Sequence, residues 1–146
     1  MAINSRTKGA VGENGVRKLL SEASGHDFQR TPGSGSGVIK GDLHVPKARN
    51  KYCIEVKNYS ESPLTDKIFT NKTNNIVVWW TKLQQQAKQC KQEPLLIYRY
   101  NRSKTYVVTD QKPAKVIKFL YISWLNVYIM LIEEWLLDER ITWLIS

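Results

Sequence analysis

The sequence predicts an α/β domain: one small mixed β-sheet flanked by helices. Three observations lead there. Tyr52–Asn58 alternates in the period of a strand, with Ile54 and Val56 on one side and Glu55 and Lys57 on the other. Residues 76–92 then place Trp80, Leu83, Ala87 and Cys90 on one helical stripe. Leu95–Tyr100 and Thr105–Thr109 read as two more strands, joined through Asn101-Arg102-Ser103-Lys104 as a hairpin. With 146 residues the chain is expected to form a single domain, 1–146, with a core of its own.

In chain order, Ser5–Glu22 reads as a first helix, with Ser5 as N-cap and Ala10, Val16, Leu19 and Leu20 toward the core. Gly9, Gly12 and Gly15 weaken that helix but let another backbone, or DNA, come close. Glu13 lies among Arg6, Lys8, Arg17 and Lys18 and has two readings: a surface pair with Arg17, or a member of a site. His26–Arg30 is extended. The glycine-serine stretch Thr31–Gly37 is either a connector or a backbone that sits against phosphates, with Ser34 or Ser36 donating to them. No helix with P-loop lysine spacing follows, which argues against nucleotide binding.

A short strand carrying Asp42 and a turn from Pro46 to Lys51 lead into Tyr52–Asn58. If the two strands are neighbours, Asp42, Glu55 and Lys57 converge on an open face. Mg²⁺ takes one or two carboxylates and keeps positions for water and phosphate, and a lysine beside it can orient water or neutralise a phosphate. His44 falls on the face of Asp42, as an exposed polar residue or a DNA contact. Ser60–Asn75 reads as a surface loop, and Trp79 lies off the helical stripe, as if on a second contact surface. Pro94 closes the second helix.

The tail reads as a strand over Val116–Trp124 and a helix over Val127–Glu139, apolar almost all round. Such a helix must be covered, by the core or by another subunit, with Trp124, Trp135 and Trp143 as anchors.

The formal net charge of +9 points to a polyanionic partner. Residues 116–146 hold Lys118 and Arg140 against Glu133, Glu134, Asp138 and Glu139, a net of −2, which leaves +11 on the first 115. Cys53 and Cys90 form neither a metal spacing nor a disulfide framework. The start lacks a signal-peptide pattern and Phe119–Ile132 is too short to span a bilayer, so the expectation is a cytoplasmic protein with no membrane partner.

Gly12-Glu13, Phe28-Gln29-Arg30-Thr31-Pro32-Gly33-Ser34-Gly35, Asp42 and Ile54-Glu55-Val56-Lys57 together resemble the PD-(D/E)XK nuclease superfamily, and within it the archaeal-type and phage Holliday junction resolvases. The resemblance covers roughly residues 5–110, in which four blocks keep their order and spacing. One departure is Gly41, where the family usually has proline before the first Asp. The resemblance implies a restriction-endonuclease-like fold and a Mg²⁺-dependent endonuclease, with Mn²⁺ able to substitute. In it Asp42 and Glu55 bind the ion, Glu13 supports it or holds a second, and Lys57 orients the water. Arg6, Lys8, Arg17, Arg30, Ser34, Ser36 and Lys40 would hold phosphates, and Gln85 would be the helix glutamine near the site. The implied partner is a four-way DNA junction, nicked in pairs by a homodimer of a phage-encoded protein in a bacterial host. A nuclease of the same superfamily acting on linear DNA, and a non-catalytic nucleic-acid-binding module, are the alternatives.

Overall fold

The computed structural model describes residues 5–32, 40–70, 73–101 and 103–145, with side chains from residue 12 onward. Helix α1 spans Ser5–Ser24, and β1 (Gln29–Arg30) and β2 (Leu43–His44) lead to β3 (Tyr52–Tyr59). A 3-10 turn at Asp66–Phe69 precedes α2 (Asn75–Gln89). Strands β4 (Glu93–Tyr100), β5 (Tyr106–Thr109), β6 (Leu120–Ile122) and β7 (Val127–Leu131) follow, with a single helical turn α3 at Ile132–Trp135. The strands form one mixed sheet in the order β1-β2-β3-β4-β5-β7-β6.

Strands β3 and β4 pair in parallel, from Tyr52 opposite Glu93 to Tyr59 opposite Tyr100, and the other pairings are antiparallel. A parallel pair needs a crossover, and α2 provides it. Asn74 fixes the helix start: its Oδ1 accepts from Ile76 N at 2.9 Å while its Nδ2 donates to Pro63 O at 2.9 Å. The helix ends at Gln89, before Pro94, which lies inside β4. Gln92 N donates to Ala87 O at 2.8 Å, past a left-handed Lys91.

Both faces of the sheet are covered. On one, Val16 and Leu20 of α1 pack with Ile54, Val56, Leu95, Ile97 and Val107; on the other, Trp79, Trp80, Leu83 and Ala87 of α2 pack with Cys53, Leu96 and Val108. Ser5 and Ala10, expected as N-cap and core residue, have side chains outside those described. The surface loop expected over 60–75 contains the 3-10 turn, capped by Thr65 Oγ1, which accepts from Lys67 N at 3.3 Å.

The C-terminal expectation requires correction. The long helix over Val127–Glu139 is instead β7 followed by one turn, and the strand expected over Val116–Trp124 shrinks to Leu120–Ile122. The run is apolar on both sides because β7 lies between β5 and β6 in a doubly covered sheet, a setting that gives a strand no polar face. Asn126, at φ 55°, makes the turn between β6 and β7. Trp135 and Trp143 are buried in the monomer core, with centroids 6.2 and 5.6 Å from the Tyr52 ring, and Trp143 meets Phe28 at 5.3 Å. Trp124 alone of the three remains at the surface, against exposed Phe69 at 5.0 Å.

Candidate active site

Asp42 stands immediately before β2, where that strand begins to pair with β3. Its N–H donates to Ile54 O at 2.6 Å, and its carbonyl accepts from Thr31 N at 2.8 Å. Its side-chain Oδ2 accepts from Val56 N at 2.7 Å. The Ile54 and Val56 bonds hold Asp42 against the edge of β3, the latter through its carboxylate, and the Thr31 bond ties its backbone to the chain that follows β1.

The residue before it explains that closeness. Gly41 has φ +88°, and a Cβ there would lie 2.8 Å from Ile54 O and 2.9 Å from Ile54 N. Proline is locked near φ −65° and fits neither constraint. The departure from the family pattern is therefore a local backbone solution: glycine lets the chain press onto β3 and swing Asp42 inward.

Glu55, Lys57 and Tyr59 share one face of β3 with Cys53, as the alternation requires. That face is the one α2 covers, so it is partly enclosed, where the sequence led to the expectation of an open face. Lys57 Nζ lies 3.4 Å from Glu55 Oε1 and 5.9 Å from the centroid of Trp79. Trp79 is buried, and Tyr59 leans on it at 5.0 Å between centroids, so the surface inferred for Trp79 is an internal support under the lysine.

Glu13 arrives from α1. A Cβ on Gly12 would meet Asn58 Cβ at 2.9 Å, so a glycine is needed for the helix to approach β3 this closely. Glu13 Oε2 accepts from Arg30 Nε at 2.8 Å, in place of the surface pair with Arg17. Its charge is still felt at Asp42, though less than that of Glu55.

Burial and the neighbouring Glu55 charge push the Asp42 carboxyl up to about 7 from 3.8, against the lowering effect of the Val56 N–H. Negative charges crowded in a partly buried place take up a proton unless a cation offsets them, and that chemistry fits a divalent ion held by Asp42 and Glu55. Among the described residues no group of three or more His, Cys, Asp or Glu side chains gathers to enclose an ion. Two carboxylates still suffice for an ion that keeps water and phosphate as further ligands.

His44 is a second correction. It is buried and hydrogen-bonded to Thr31 Oγ1 at 3.1 Å through Nδ1, with burial lowering its pKa, so it braces the Thr31 turn instead of facing DNA. Arg30 is exposed beside Glu13, while Arg17 and Lys40 are half-buried. Gln85 is exposed on α2 and lines a hollow with Gln84, Lys88, Gln92 and Asp110, none of them a residue of the site. Ser34 and Ser36, and the side chains of Arg6 and Lys8, lie outside the described residues. Sequence reading missed the Arg30–Glu13 pair and the Trp79–Tyr59 support; the shared strand face of Lys57 and Tyr59 was the available signal for the latter.

Residues 4–134 match the family model described as "Phage putative PDDEXK endonuclease". The chain belongs to that family. Protein D14 of Escherichia phage T5 is 30% identical over 151 residues, covering 86% of this chain and 94% of its own length. A solved structure of Hjc from Archaeoglobus fulgidus, described as a Holliday junction resolvase from an archaeal hyperthermophile, aligns at TM-score 0.48 and 20% identity. That alignment covers 87% of this chain and 91% of that one. The matched range includes Asp42 and Glu55-Val56-Lys57. No helix among the described residues is long and apolar enough to cross a membrane.

Proposed function

We propose that this PDDEXK-family protein is a Mg²⁺-dependent endonuclease that makes paired nicks in branched DNA, most of all in four-way junctions. The observation that carries the reading is the placement of Asp42, Glu55 and Lys57: two carboxylates and an ammonium gathered at β3, where burial and the Glu55 charge raise the pKa of the Asp42 carboxyl. Asp42 and Glu55 would hold the ion, with Mn²⁺ an effective substitute. When bound, the ion polarises the phosphoryl oxygen and lowers the pKa of water.

The chain's own groups do the rest. Lys57, steadied by Glu55 and the Trp79 face, orients the attacking water or neutralises charge growing on the phosphate. Arg30, held by Glu13, presents its guanidinium to a phosphate beside the site. The basic residues of α1, Lys40 and the Ser34–Ser36 segment extend that phosphate contact, consistent with +11 on the first 115 residues.

Preference for a junction rests on the resemblance of the four sequence blocks. A junction has two scissile strands related by an approximate two-fold axis, so the working unit is a symmetric dimer in the cytoplasm of the host. Edge strand β6 exposes Leu120 and Tyr121, Trp124 follows it closely in the chain with Phe69 against it, and these supply the apolar surface for it.

Purified protein with Mg²⁺ on a four-way junction, beside a linear duplex of the same sequence, tests the proposal. Symmetric nicks confined to the junction are expected. Equal cutting of the duplex would move the protein to a linear-DNA endonuclease. Binding with no metal-dependent cutting would make it a non-catalytic module.

A further inference from the structure

Tyr59 is the next residue after Lys57 on the same face of β3, roughly 6.6 Å further along the strand. Its ring is 44% exposed although it lies in the sheet's interior strand, and Trp79 supports it from below at 5.0 Å with a 58° tilt. The same Trp79 ring lies under the Lys57 ammonium. A half-exposed aromatic shelf therefore continues directly from the cation that would meet the scissile phosphate. A DNA strand with its phosphate at Lys57 would need to reach only across the spacing from Lys57 to Tyr59 to bring a neighbouring nucleobase to Tyr59.

We infer that Tyr59 is a stacking site for the nucleobase flanking the cut phosphate, which makes the substrate a DNA whose base can leave its own stack at that step. The inference rests on the nuclease reading above and deepens it. A continuous duplex keeps each base between its neighbours, whereas the branch of a junction has bases free to reach a side chain. Aromatic side chains hold bases without reading their sequence, because every base offers a π-face. Tyr59 thus selects the shape of the DNA at the cut, and does so without demanding a particular base.

The test is a double-substitution cycle between Tyr59 and the base. Single-turnover cleavage is measured on a junction and on the same junction made abasic at either nucleotide flanking the cut, using wild type, Tyr59→Leu and Tyr59→Phe. For wild type and Tyr59→Phe, removing one of the two bases should raise the half-saturating protein concentration roughly ten-fold. For Tyr59→Leu that base should matter less than about two-fold. Melting temperatures and binding to a linear duplex accompany each variant, so that a general loss of fold is read separately. Base removal with the same cost in wild type and Tyr59→Leu overturns this inference alone. Wild-type protein that neither binds nor cuts DNA overturns the nuclease reading and this inference with it.

Discussion

Arg30 Nε donates to Glu13 Oε2 at 2.8 Å, tying β1 to α1 beside Asp42. If that pair were only a surface contact, Glu13→Gln would change little, since half-exposed pairs contribute less than about 1 kcal/mol. Glu13→Gln is expected to lower cleavage by about two orders of magnitude or more, roughly 3 kcal/mol of transition-state stabilisation, with an unchanged melting temperature. Arg30→Ala is expected to weaken DNA binding and lower the salt dependence of binding by about one phosphate contact. Activity of Glu13→Gln within a few-fold of wild type would return the residue to a purely structural role.

Asp42→Asn, Glu55→Gln and Lys57→Ala should each abolish cleavage while leaving junction affinity within a few-fold. Affinity comes from dispersed cations and cleavage from the ion and the positioned lysine. Gel-shift and cleavage assays on the same preparations separate the two. Cleavage at wild-type rates in all three would remove the site.

The Asp42 carboxyl is raised from 3.8 to about 7 in the folded metal-free protein, chiefly by burial and then by Glu55. Between those values the folded state binds a proton that the unfolded chain has released. Stability therefore falls as pH rises through this window. Melting temperatures in EDTA should decline from pH 4 to pH 7 by more than they do with Mg²⁺ present, and Asp42→Asn should flatten the EDTA curve. A profile in EDTA that rises toward pH 7 and is unaffected by Asp42→Asn would refute the assignment.

Gly41→Pro restores the residue the family resemblance leads one to expect, yet it should inactivate. Its φ of +88° and the 2.8 Å approach to Ile54 O leave no room for a ring. Gly41→Ala should be less severe but still destabilising, by about 1 kcal/mol or more. Both are read by thermal melting and by cleavage. A fully active Gly41→Pro would mean that the backbone at Asp42 is freer than its contacts imply.

Trp143→Ala and Trp135→Ala should each destabilise the monomer by about 3–5 kcal/mol, because both indoles are buried against Tyr52. Trp124→Glu should instead keep its melting temperature and shift sedimentation from dimer to monomer, with a loss of paired nicking. A Trp124→Glu variant that still sediments as a dimer would move the interface away from β6.

Sequence alone revealed the order of elements through β5 and the face of β3 that carries Glu55 and Lys57, because strand alternation survives in a half-buried strand. It failed at Val127–Leu131, where burial on both sides erases alternation and leaves nothing to distinguish a strand from a buried helix. It failed also at His44, whose burial depends on Thr31, thirteen residues earlier and across a strand pairing. Glu13 was visible as a candidate, but its partner was sought four residues away on the same helix. The true partner, Arg30, is brought in by the β1–β2 pairing, a tertiary fact that local spacing does not record.

The seating of Trp143 on Phe28 and Tyr52 also sets an order in time. During synthesis Glu13, Asp42, Glu55 and Lys57 emerge within the first 57 residues, but the core beneath them is closed only when residue 143 arrives, with its carbonyl accepting from Lys51 N at 2.9 Å. Contacts this distant in sequence form late and slowly. A nascent chain that has not yet reached Trp143 would thus carry Glu13, Asp42 and Glu55 without the packed scaffold that aligns them.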